Sequence, residues 1–85
     1  MPQLIQPIVN INGTSRNELT DTRRAAIEAV QAAKVALKAI KPHGRDYPGA
    51  LDKYESDRRE YEARYMGLDD LEAALIAEAL ELMEF

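Results

Sequence analysis

Residues 15–42 read SRNELTDTRRAAIEAVQAAKVALKAIKP, and this stretch decides the fold. Ser15 with Glu18 three residues on forms a capping box, in which hydroxyl and carboxylate satisfy backbone N–H groups at a helix start. Asn12-Gly13-Thr14 supplies the turn in front, and Pro42 ends the helix because it lacks a donor. A first helix is therefore expected over about Arg16–Lys41, with Ser15 as its cap. Within it Leu19, Ala26, Val30, Ala33, Leu37 and Ile40 recur at the spacing of a bundle seam. Ala25, Ala29, Ala32, Ala36 and Ala39 make a second stripe. Small residues permit close helix approach, so the stripe suits a protomer interface, although alanine is also simply a strong helix former.

On the N-terminal side, Leu4-Ile5-Gln6-Pro7-Ile8-Val9-Asn10-Ile11 is β-branched and interrupted by Pro7, which reads as an extended arm or an edge strand. No second strand follows in the sequence, so the arm (1–14) is expected to lie across helices rather than pair with a copy of itself. On the C-terminal side, Pro42-His43-Gly44-Arg45-Asp46-Tyr47-Pro48-Gly49 is the densest turn in the chain. It joins the first helix to a second, with Asp46 a fitting N-cap and Pro48 suited to a first turn. The second helix is expected from about Gly49 towards Glu84, either kinked at Gly67 or passing through it.

Tyr47, Tyr54, Tyr61 and Tyr65 share a narrow arc of that helix with Leu51, Arg58 and Leu68. Beyond Gly67 the apolar arc widens to Leu71, Leu75, Ile76, Ala79, Leu80, Leu82 and Met83, more than one neighbouring helix can cover. The longer helix should also overhang the shorter by about ten residues, at ~1.5 Å per residue. An apolar surface left in water favours association. The fold class expected is all-α: an antiparallel helical hairpin with an extended N-terminal arm, assembled into a homo-oligomeric bundle of even-numbered copies.

Composition narrows function mainly by exclusion. The 85 residues make a single small domain, and cysteine is absent, so no disulfide or thiolate zinc site staples it. No apolar run approaches the ~20 residues that span a bilayer, and Met1–Asn10 lacks the features of a leader, so a cytoplasmic protein with no membrane partner is expected. Residues 1–45 carry seven Arg or Lys against three acids, and residues 46–85 carry four against twelve. Halves of opposite sign attract when packed antiparallel. The net charge of −4 makes nonspecific nucleic-acid binding a poor expectation. The single histidine, His43, has no nucleophile or base at a useful spacing, and the carboxylates of the second helix alternate with Arg as a salt-bridged face. No enzyme activity, metal site or cofactor is expected.

Two segments have the ingredients of an anion site. One is Asn12-Gly13-Thr14-Ser15-Arg16; the other is His43, Gly44, Arg45 and Tyr47. Each joins a helix start to a glycine and an arginine, and each is also explained by capping alone. An antiparallel pair of hairpins would bring the first segment of one chain to the second of its partner. In such a composite pocket Arg16 and Arg45 would meet phosphate, Asn12 and Thr14 would hydrogen-bond it, and Tyr47 or Tyr54 would stack on a base.

The motifs Asn12-Gly13-Thr14-Ser15 and Pro42-His43-Gly44-Arg45-Asp46-Tyr47 resemble those of a group of short uncharacterised proteins of bacteriophages and prophages. More loosely, a helix, a Pro-x-x-Arg turn and a second helix is similar to the helical-hairpin phage proteins that counter CBASS and Thoeris defence. Those are oligomeric sponges that sequester cyclic nucleotide signals between protomers. The resemblance implies a cyclic nucleotide or related small phosphate ligand, an anti-defence role in the host bacterial cytoplasm, and a place near the ligand for Arg45. The chain differs from that family in the rest of its turn and in its arm. Two other readings stand beside it: a phage structural or adaptor protein docking through its apolar second helix, and a DNA mimic prompted by the acids of residues 46–85.

Overall fold

A computed structural model describes residues 3–9 and 13–83. It is all-helical: α1 (Arg16–Lys38), a short 3-10 turn (Gly44–Asp46) and α2 (Leu51–Met83). Asn10, Ile11 and Asn12 lie outside the described residues.

α1 starts where its cap dictates. Ser15 has extended backbone angles and its hydroxyl accepts the Glu18 N–H at 3.2 Å, relieving one of the orphan donors of the first turn. Only half of the expected box forms, since Glu18 makes no return bond to Ser15. The helix stops at Lys38, three residues before the sequence suggests. Its last carbonyls are taken by tighter bonds, Ala39 to Ala36 and Ile40 to Leu37, both at 3.1 Å. Pro42 explains the early stop, because a proline disfavours helical geometry in the residue before it, here Lys41.

The connector also departs from expectation. Asp46 does not cap α2; its N–H donates to His43 O at 2.9 Å inside the 3-10 turn. Gly49, at φ +68, reverses the chain in a conformation that side chains resist. α2 therefore begins at Leu51 rather than Gly49, and Ala50 O accepts the Tyr54 N–H at 3.1 Å as the cap carbonyl. Beyond this α2 runs unbroken through Gly67.

Ion pairs fix how the helices meet. Lys34 reaches Asp69 and, at 3.0 Å, Glu72, while Arg23 reaches Glu78 at 3.4 Å. The end of α1 thus meets the middle of α2, and the start of α1 meets the C-terminal part of α2. The face of α2 turned inward runs through Tyr54, Arg58, Tyr61, Tyr65, Leu68, Glu72, Leu75, Ala79 and Leu82, alternating spacings of four and three, with the buried Ala74 and Glu78 beside it. Leu51, placed on that arc from sequence, is exposed. On α1 the inward face is Leu19, Arg23, Ala26, Val30, Lys34 and Leu37. Lys34 takes the place expected for Ala33, and the alanine stripe from Ala25 to Ala39 faces outward.

Burial is thin. Among the described residues the buried apolar set is Val30, Tyr61, Ala74 and Leu82. Residues 3–9 carry neither helix nor strand, and Ile5, Gln6, Pro7, Ile8 and Val9 line a groove of about 430 Å³ with Arg16, Glu78, Glu81 and Leu82. This described part of the arm thus lies against the C-terminal end of α2. The surplus length of α2 falls at its other end, around residues 51–60, where the connector folds back onto it. One stripe of α2 stays uncovered: Met66, Ala73, Ile76, Leu80 and Met83 are all exposed.

Candidate functional site

The connector end of the molecule is built by aromatic packing and one strong hydrogen bond. Tyr47 lies against Tyr54, ring centroids 5.5 Å apart, and its hydroxyl donates to Asp57 Oδ2 at 2.8 Å. Lys53 pairs with the same carboxylate at 3.0 Å. The bond holds the Tyr47 hydroxyl above its ordinary pKa, with partial burial adding to the effect. The same bond, followed by Lys53, holds the Asp57 carboxyl below its usual range. His43 caps the 3-10 turn: its Nδ1 accepts the Arg45 N–H at 3.3 Å.

These contacts shape a groove of about 550 Å³ lined by Lys38, Lys41, His43, Arg45, Asp46 and Tyr54, among others. Lys38, Lys41 and Arg45 make no ion pair among the described residues, and neither does Arg59 on α2, whereas Arg23, Arg24, Lys34, Lys53, Arg58 and Arg64 each do. Three uncompensated cations thus converge on one concavity whose single acid is Asp46. Their fields add, and an anion entering the groove meets donors that no internal carboxylate has claimed.

Of the residues expected at the site, the structure brings His43 and Arg45 together, with Tyr47 directly beside them. Thr14 and Arg16 are elsewhere, at the far end of α1. Its 23 residues put them ~35 Å away by the helical rise. Arg16 lines the arm groove instead, and Asn12 lies outside the described residues. Tyr47 is also less available than expected, since its ring packs on Tyr54 and its hydroxyl is committed to Asp57. Sequence reading passed over Lys38 and Lys41. The signal was present: neither lysine has an acid three or four residues away in either direction, unlike Arg58 and Arg64 with their Glu62 and Glu60 partners.

A second hollow, about 500 Å³, lies across the same two lysines and is lined by Lys38, Lys41, Tyr61, Glu62, Tyr65 and Met66. Tyr61 and Tyr65 form a ring pair at 6.2 Å. The Lys34 ammonium stands 5.4 Å from the Tyr65 ring centroid. Asp69, then Glu72, hold that ammonium well above its ordinary pKa, and Lys34 with Gln31 lowers Glu72.

Among the described residues no group of three or more His, Cys, Asp or Glu is placed to hold a metal ion, and no helix is long and apolar enough to cross a membrane. No family model, no curated protein and no solved structure matches the chain.

Proposed function

We propose that the chain is a non-enzymatic binding protein that sequesters a small phosphate-bearing ligand in the basic groove at the connector end. The observation that carries this reading is the convergence of Lys38, Lys41 and Arg45, without ion pairs, beside His43. Capping chemistry accounts for the His43 contact but not for three side-chain cations held free of carboxylates. The resemblance to phage hairpin sponges supports a more specific reading, in which the ligand is a cyclic nucleotide immune signal and the protein a phage anti-defence factor. In that reading the helical hairpin is one protomer of a homo-oligomer. The partner's Thr14 and Arg16 complete the pocket, because within one chain they lie too far away.

Thermal melting with cyclic dinucleotides and cyclic ADP-ribose isomers tests the proposal. A ligand at about 100 times its dissociation constant stabilises the fold by about 2.7 kcal/mol, and Arg45→Ala abolishes that gain while the protein still folds. No shift with any phosphate compound retires the reading. A second reading, an adaptor docking through α2, is favoured by the exposed Met66, Ile76, Leu80 and Met83. It gains ground if melting is unmoved and Leu80→Glu abolishes capture of a specific protein.

A further inference from the structure

We infer that Lys38 and Lys41 form the shared wall of a two-part site that selects a phosphate ester bearing a planar aromatic group, of which a nucleotide is the fitting class. This rests on the reading above and assigns the part of the ligand that reading leaves open. Both lysines line the basic groove on one side and the Tyr61–Tyr65–Met66 hollow on the other. The two hollows differ in chemistry. The first carries Arg45, His43 and Asp46, with one ring, Tyr54, that is already packed on Tyr47; the second is walled by two phenol rings and a thioether, with Glu62 as its acid. Glu62 is already paired with Arg58 at 3.4 Å, which lessens its repulsion of an anion.

Tyr47 is a poor platform for the aromatic group, because it lines neither hollow and its hydroxyl is committed to Asp57. Tyr65 is better suited. It is half-buried and held by Lys34 and Tyr61, and it lies next to Met66, whose flexible exposed side chain adapts to a flat partner. Phosphate over the lysines and Arg45, with the base over Tyr65 and Met66, uses both hollows at once. Inorganic phosphates can use only the first.

Isothermal titration with ADP and with inorganic pyrophosphate reads this directly. ADP is expected to bind at least about ten-fold more tightly, the gain of stacking one base on an aromatic ring. Tyr65→Leu keeps the helix seam apolar and should reduce that preference to near unity with pyrophosphate binding unchanged. Because Tyr65 also packs on α1, Met66→Gln, at an exposed position, is the second variant and should lower ADP affinity alone. Arg45→Ala should weaken both ligands. Equal affinity for ADP and pyrophosphate overturns the two-part site while leaving the phosphate groove standing. Retention of the full ADP preference by both hollow variants overturns it too. Binding of neither ligand overturns the two-part site, and the groove falls with it when the cyclic nucleotides also leave the melting temperature unmoved.

Discussion

Glu78 is 5% exposed and has Arg23 as its ion-pair partner, so its charge tolerates the interior only while that guanidinium stays. Removing one member of a buried pair typically costs about 3–5 kcal/mol, since the survivor is left charged and dry. Arg23→Met should therefore lower unfolding free energy in urea by about 3 kcal/mol. The double variant Arg23→Met/Glu78→Met should regain most of it; a double variant as unstable as the single refutes the account. Tyr47 and Asp57 give a pH signature at the same scale. Asp57 is lowered in the fold, so its contribution is present above the ordinary carboxylate pKa and is lost as pH falls through the lowered one. Tyr47 is raised, so its contribution is present below the ordinary phenol pKa and is lost as pH climbs through the raised one. The stability gap between the native chain and Tyr47→Phe should be widest between about pH 5 and pH 9, and should close on either side, given reference values near 4 and 10. A gap that does not vary with pH would show that the bond to Asp57 is not what Tyr47 contributes.

Among the elements, α2 is the more instructive. Gly67 sits in mid-helix, and a Cβ built there meets nothing within 4 Å. Gly67→Ala should thus raise unfolding free energy by about 1 kcal/mol, through the lost freedom of the unfolded chain. Gly49→Ala should lower it, because φ +68 is strained for alanine; calorimetry of both variants checks the opposite signs. Sequence reading left Gly67 open between kink and passage, because one glycine costs little against the packing of Tyr65 and Leu68 on either side of it. The start of α1 was legible from Ser15, since capping is local chemistry. Its end was not, because Pro42 acts backwards on Lys41 as well as on itself. The start of α2 was hidden for a related reason: Asp46 looks like a cap, but the positive φ of Gly49 decides where helical geometry can begin. At the end of the molecule that carries the groove, turn composition pointed to His43 and Arg45, and the lack of acids three or four residues from Lys38 and Lys41 marked those lysines as unpaired; that all four line one concavity depends on how the connector folds, which is not local chemistry.

At the scale of the molecule, thin burial and elongation go together. The principal extents are 63 × 20 × 17 Å and the radius of gyration is 18.0 Å, against ~12 Å for a compact chain of this length. A rod two helices wide has little interior, and Ile76, Leu80 and Met83 remain at its surface. Its melting temperature should therefore rise with protein concentration, as self-association stabilises a folded chain by mass action. Leu80→Glu should remove that dependence without unfolding the monomer. Sedimentation of a stable single chain, with a melting point indifferent to dilution, would refute the expectation. The rod is also optically lopsided. All four tyrosines, Tyr47, Tyr54, Tyr61 and Tyr65, sit in the connector-side half, and the chain has no tryptophan. Near-ultraviolet tyrosine absorbance and emission therefore report on that half alone, so the protein carries an unlabelled probe at one pole and is dark to the same light at the other.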